Sequence, residues 1–320
     1  MHILVTNDDG PPSADSSPYV LPFVHHLLAA GHKVSIVLPS EQRSWIAKAH
    51  IVGQDVRATP YTPPEYTFPG SSSPASDGDA KWFLTTSPPA SCAQLALHHL
   101  FPPTGQRGPV DLVVSGPNYG RNTTAVFALS SGTMGGALEA CVAGHKAIAL
   151  SFAFMDRLNL PEVVAGACRH AVKVVEHLAV ADGWRTGNPA GVVYSVNVPL
   201  VKGVEELKTV WTQMLLNRWK SSCFVEAEGD EKPGQAEREI REGETGQGHE
   251  DEGRRESTDG NGSVERHFKW SPKFTDVFES VKRAGPGSDG WAVANGMTSV
   301  TMLRANFMHV AGTTSGELKL

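Results

Sequence analysis

The first forty residues constrain this chain more than any other stretch, because they contain a complete strand, helix and strand in succession. Ile3 to Thr6 is a β-rich run stopped by Asn7-Asp8-Asp9-Gly10, and residues 18 to 30 then carry apolar groups at helical spacing up to Gly31. Lys33 to Leu38 supplies a second strand of buried type, ended by Pro39. Two such strands joined by a helix pair in parallel through a right-handed crossover. The alternation continues with a helix over 90–100, a strand at 110–115, a small-residue helix near 133–143, a strand at 147–152, a helix near 161–178 and a strand at 191–198. The fold class expected is α/β with a parallel sheet.

Two stretches interrupt the pattern. Residues 63–80 are rich in Pro, Ser, Gly and Asp, which suits an exposed excursion. Residues 226–265 hold 14 Asp/Glu, 5 Lys/Arg and no aromatic residue. Such a segment buries too little apolar surface to offset the entropy of ordering, so a disordered insertion is expected there. Structure returns at 275–281 and in the alternating run 296–303, so residues 1–225 read as the core and 266–320 as the C-terminal part of the same domain. The formal charge of -6 divides accordingly into -9 for the insertion and +3 for the rest. That balance fits a site for a small anion, and the lack of a basic stripe argues against a nucleic-acid polymer as partner.

With 40% apolar residues, the 320-residue chain has ample material for a core. No run reaches the ~18 to 20 apolar residues of a membrane span, since Pro22, His25 and His26 break the longest candidate. The opening Met-His-Ile-Leu-Val reads as a first strand and not as a secretory leader. Four scattered cysteines without a Cys-x-x-Cys pair suggest neither a zinc site nor a disulfide framework, so a reducing, cytoplasmic compartment is expected.

In a parallel sheet, loops after the carboxyl ends of strands carry ligands. The first such loop holds Asn7, Asp8 and Asp9, whose adjacent carboxylates are hard oxygen ligands suited to Mg²⁺ or Mn²⁺; a plain turn explains the same residues. The second, Ser115 to Asn122, offers the Asn118 amide as a neutral oxygen and Gly116 and Gly120 for close backbone approach to an anion, with a simple glycine-rich connection as the other reading. Ser131, Gly132 and Thr133 open a helix, where N–H groups favour phosphate and an ordinary helix cap is equally consistent.

Asn7-Asp8-Asp9-Gly10, Pro39-x-x-x-Arg43-Ser44, Ser115-Gly116-x-Asn118-x-Gly120-x-Asn122 and Ser131-Gly132-Thr133-x-Gly135 occur in the order found in the SurE survival-protein family, which this chain resembles across most of its length. Val196-Asn197-Val198-Pro199 and the Ser288 to Thr301 segment extend the likeness. The resemblance implies a Rossmann-like three-layer αβα fold and a C-terminal extension used for a homodimer or higher homo-oligomer. It implies a metal-dependent phosphomonoesterase acting on nucleoside monophosphates, with Asp8, Asp9, Ser44 and Asn118 as metal ligands. Asp8, Asp9 and Asn118 are the candidate catalytic residues, and Asn7, Gly116, Asn122, Ser131, Gly132 and Thr133 the candidate phosphate contacts. This chain departs from the family pattern at Trp45, where glycine is usual, and at Ser91, where aspartate is usual.

Other readings weigh less. Attack by Asp8 through an aspartyl phosphate lacks the Asp-x-Asp spacing of haloacid-dehalogenase phosphatases, and a catalytically weakened nucleotide-binding module with the same fold is the non-enzymatic alternative. No Gly-x-Gly-x-x-Gly follows the first strand and no Gly-x-Ser-x-Gly elbow occurs. The pairs His25-His26 and His98-His99 point about 100° apart on a helix and cannot easily share a metal. The tryptophans show no regular spacing and read as packing residues, except Trp45, which adjoins the site.

Overall fold

In the computed structural model, residues 1–154, 159–185, 191–226 and 266–307 are described; apart from Glu226, the acidic segment expected to be disordered lies outside them. β1 (His2–Thr6), α1 (Val20–Ala29) and β2 (Lys33–Pro39) form the opening unit, with β1 and β2 in parallel register from His2↔Lys33 to Val5↔Ile36. β3 (Ala58–Pro60) and β4 (Ala80–Thr85) precede α2 (Pro89–Leu95), which runs into a π-helical turn at Ala96–Leu100. β5 (Leu112–Tyr119), α3 (Thr124–Ser130), α4 (Gly132–Val142), β6 (Ala147–Ala153), α5 (Pro161–Ala179) and β7 (Val192–Pro199) continue the alternation. The chain then adds β8 (Thr209–Trp211), β9 (Phe224–Glu226), β10 (Phe268–Trp270), α6 (Phe274–Arg283), α7 (Asp289–Ala294) and β11 (Thr298–Arg304).

The main sheet has the order β3-β4-β2-β1-β5-β6-β7-β11-β8. Its six central strands, β4-β2-β1-β5-β6-β7, are parallel, while β3 pairs antiparallel with β4 and β11 antiparallel with β7. The chain leaves β1 toward β2 and β4 on one side and returns to β5, β6 and β7 on the other. The order therefore reverses between β1 and β5, and a crevice opens beyond their carboxyl ends, where doubly wound sheets bind ligands.

Alternate strand residues enter two separate cores. Ile3, Val5, Ile36, Val114 and Ile148 pack with α1 and α5, whereas Leu4, Val37, Val113, Ala147 and Ala149 pack with α2 and α4. This is the three-layer αβα arrangement. The second face is lined by small residues, Ala137 and Ala140 of α4 among them, so its helices approach the sheet closely.

Three elements lie where no periodic signal marked them. β4 is hidden behind the polar run at 63–80 and is too short for alternation to show, β3 has only three residues, and α3 lies inside the expected glycine-rich connection. The excursion itself is mostly exposed but is anchored on α1: Tyr66 stacks on His25 at 5.1 Å and Phe68 meets His26 edge-on at 4.9 Å. Burial pushes both imidazoles below their ordinary pKa.

The loop expected at 115–122 is also different in kind, because β5 continues to Tyr119 with a register shift between Ser115 and Asn118. Gly116 makes this possible: its φ is +127°, and a Cβ there would stand 2.0 Å from the Leu150 carbonyl oxygen of β6. Gly116→Ala is expected to destabilise the fold by about 3 kcal/mol or more through strain and overpacking. A urea midpoint unchanged from the parent would contradict that assignment.

Candidate active site

The loop after β1 is a locked turn. Gly10 N–H donates to Asn7 Oδ1 at 3.0 Å, and Asn7 Nδ2 donates to the Gly10 carbonyl at 3.0 Å and to Ser17 Oγ at 3.2 Å. Ser17 Oγ in turn donates to the same carbonyl at 3.0 Å, and Gly10 takes φ +87°. The amide of Asn7, a candidate phosphate contact by sequence, is thus turned into the loop. Its effect is to hold the adjacent Asp8 and Asp9 rigidly at the crevice, both only 2% exposed.

Asp9 meets the end of β5 directly, and Asp8 is joined to it through Thr133 of α4. Thr133 Oγ1 donates to Asp8 Oδ1 at 2.5 Å and lies 3.1 Å from Asn118 Oδ1, so three oxygens from β1, β5 and α4 converge. Asn118 Nδ2 donates to the Gly120 carbonyl at 2.8 Å, which turns the amide oxygen toward that cluster. Tyr119 N–H donates to Asp9 Oδ2 at 2.6 Å.

The start of α4 can approach so closely only because of its glycines. A Cβ on Gly132 would stand 2.7 Å from Asp8 Cβ and 2.9 Å from Asp8 Oδ2. One on Gly135 would stand 2.2 Å from the Ala47 carbonyl oxygen, and one on Gly136 2.7 Å from Ser115 Oγ. Each glycine costs helix propensity, roughly 1 kcal/mol relative to alanine, in exchange for contact. Ser131 caps the helix by accepting from Met134 N–H at 3.1 Å. By position, the first N–H groups of α4, those of Gly132 and Thr133, have no acceptor within the helix, and the helix start they belong to lies against Asp8.

Ser44 lies on the loop after β2, which is tied to the site by the Arg43 N–H donating to the Asp8 carbonyl at 2.7 Å. Its hydroxyl accepts from Gln42 Nε2 at 2.8 Å. Asn122 lies farther along the strand ends, in a buried polar network: its N–H donates to Asn197 Oδ1 at 2.8 Å and its Nδ2 to Ser151 Oγ at 2.9 Å. Asn197 Nδ2 is buried without a partner among the described residues. Ser151 and Asn197 are not among the site residues expected from sequence; their signal is a polar group near the carboxyl end of a buried parallel strand.

Two further carboxylates brace the site. Asp289 at the start of α7 is 1% exposed and accepts from the N–H groups of Thr124 at 2.8 Å, Leu215 at 3.0 Å and Gly290 at 2.7 Å, which ties the C-terminal part to α3. Burial raises its pKa above the usual range, although those N–H bonds oppose the shift. Glu139 of α4 is likewise buried, and burial alone would raise it. Hydrogen bonds from Lys48, whose Nζ lies 2.5 Å away, and from Gln94 at 2.5 Å outweigh that effect and hold it below its ordinary value.

Among the described residues no three His, Cys, Asp or Glu side chains converge to hold a metal. A cation here would rest on two carboxylates completed by neutral oxygens, a donor set for hard ions such as Mg²⁺ or Mn²⁺. No single helix among those residues is long and apolar enough to cross a membrane.

The chain is similar to known proteins over most of its length. The crystal structure of the SurE protein from Aquifex aeolicus superposes with a TM-score of 0.59 at 21% identity, covering 96% of this chain and 95% of that one, which speaks for the fold. The 5'-nucleotidase SurE of Synechococcus sp. strain CC9311 is 31% identical over 68% of this chain and 71% of its own length, and that of Chlorobium limicola 29% identical over 70% and 74%. A yeast protein named as a probable tubulin–tyrosine ligase, PBY1 of Saccharomyces cerevisiae, is 32% identical over the whole of this chain, which spans only 43% of that protein's length. The model of the family described as Survival protein SurE matches residues 3–221, and on that match the chain belongs to the SurE family, whose relatives include nucleotidases.

Proposed function

We propose that the chain is a metal-dependent phosphomonoesterase that hydrolyses nucleoside monophosphates. The observation that carries this reading is the convergence of Asp8 Oδ1, Thr133 Oγ1 and Asn118 Oδ1 at the β1/β5 switch point, with the Asp9 carboxylate on the next residue of β5. The 5'-nucleotidase relatives support the substrate class. The ligase named for the yeast protein is not carried over, since more than half of that protein lies outside the match.

In this reading Asp8, Asp9 and Asn118 hold a divalent cation, with Ser44 as the further oxygen. When bound, the cation polarises a phosphoryl oxygen and lowers the pKa of water. The protein's own groups do the rest. The α4 start receives phosphate oxygens at the Gly132 and Thr133 N–H groups, aided by the helix dipole. Asn118, oriented by Gly120, and Thr133 fix the ester relative to the carboxylates, and one carboxylate accepts a proton from the attacking water. Ser131 supports this as the helix cap, and Asn122 through its network with Ser151 and Asn197. The partly exposed β9/β10 ribbon, with Phe224 and Phe268, is proposed as the arm of a homo-oligomer.

The test is phosphate release from AMP and other monophosphates with Mg²⁺ or Mn²⁺ added, and again with excess chelator. Turnover should need the cation and fall at least about 100-fold on chelation. Undiminished turnover after chelation would remove the metal from the reading, and binding of AMP without any turnover would favour the weakened binding module.

A further inference from the structure

Trp45 has a backbone that packing alone explains poorly. Its φ is +59°, a left-handed conformation that strains a large side chain and persists where the surroundings enforce it. Enforcement comes from both sides. Arg43 N–H donates to the Asp8 carbonyl at 2.7 Å, and Ala47 N–H donates to the Ser130 carbonyl at 3.0 Å. Ile46 Cγ2 stands 3.0 Å from the point where a Gly132 Cβ would be. The loop therefore crosses the start of α4, with Trp45 next to the Ile46 that touches the helix end beside Asp8.

Other rings, far away in sequence, close around it. Trp270 lies 4.6 Å from Trp45 between ring centroids, Phe127 5.7 Å, Phe274 5.9 Å and Trp219 6.5 Å. Phe127 and Phe274 are buried and form a floor, while the three indoles stay partly exposed. Two of the tryptophans that read as packing residues, Trp219 and Trp270, thus meet Trp45. Val126 and Val277 complete the buried side of the cluster, and three partly exposed indoles, that of Trp45 on the loop that crosses the start of α4, offer polarisable surface of the kind that stacks a planar base.

We propose that Trp45, backed by Trp270 and Trp219, is the base-binding subsite and determines specificity, so that the protein prefers phosphate esters carrying a nucleobase over aliphatic ones. This rests on the phosphomonoesterase reading above and adds the determinant of its substrate choice.

The experiment compares kcat/KM for AMP with kcat/KM for glycerol 2-phosphate in the parent, Trp45→Gly and Trp45→Phe. Glycine suits the left-handed backbone, so Trp45→Gly removes the ring without adding strain. The AMP to glycerol phosphate preference should fall about tenfold or more in Trp45→Gly, carried by KM, and be largely kept in Trp45→Phe. A preference that does not move in Trp45→Gly, or that is lost equally in Trp45→Phe, overturns the proposal. Quenching of tryptophan fluorescence gives a readout independent of turnover. AMP should quench the parent saturably where ribose 5-phosphate does not, and Trp45→Gly should lose this. If no ester is hydrolysed, the phosphomonoesterase reading fails by itself, and the quenching still decides the subsite: equal responses to the two ligands overturn it.

Discussion

Asp8→Asn is expected to lower kcat for nucleoside monophosphates by about a thousandfold or more while the protein stays folded. The change removes one negative charge from a pair of adjacent, buried carboxylates and leaves an oxygen for the Thr133 hydroxyl, so its effect is on charge and not on shape. Burying like charges side by side is unfavourable without a cation, and so the unfolding midpoint of the metal-free variant should equal or exceed that of the parent. Phosphate release, circular dichroism and calorimetric titration with Mn²⁺ together check the three parts. Turnover within about tenfold of the parent would remove Asp8 from the centre of the reaction.

Gly132→Ala separates a site-building glycine from a helix-weakening one. By propensity alone, alanine in place of glycine in a helix gains roughly 1 kcal/mol, so a merely helical role predicts a higher melting temperature and unchanged activity. The geometry predicts the reverse. The new methyl would lie 2.7 Å from Asp8 Cβ and 3.0 Å from Ile46 Cγ2, so either Asp8 or the α4 start must move by several tenths of an ångström. Misplacement by about 1 Å at a reacting centre costs about 100-fold, so a shift of several tenths is expected to cost about tenfold or more in kcat/KM. We expect that loss together with a melting temperature no higher than the parent's. A stabilised, fully active variant would show that α4 does not need to touch Asp8.

Much of the sheet was legible because periodicity is a local property. β1, β2, β6 and β7 are short apolar runs between turn residues, α5 buries one broad apolar face, and α1 is buried nearly all round. β4, β3 and α3 were not legible, being too brief or set in polar, glycine-rich surroundings. Within the site, Asp8, Asp9, Asn118 and Thr133 could be named from their places after strands and at a helix start, and the structure brings these four together. Asn7 and Ser131 have the same residue chemistry but are turned inward as a turn lock and a helix cap, a difference of side-chain direction that sequence does not encode locally. The brace of Asp289 on Thr124 spans 165 positions of the chain and had no local signal at all.

Local sequence settled the opening βαβ unit, most of the central strands and their helices, the parallel course of those central strands, and the place of the acidic loop at the carboxyl edge, since hydrophobic spacing and turn chemistry act over a few residues. Which oxygens meet was settled by the packing of helices against the sheet. The Thr133 hydroxyl reaches Asp8 across 125 positions because glycines let α4 approach the carboxylate, and Trp270 reaches Trp45 because α6 packs its Phe274 edge beside α3. Such contacts depend on how closely layers approach one another, and that distance is set by the packing of the whole domain.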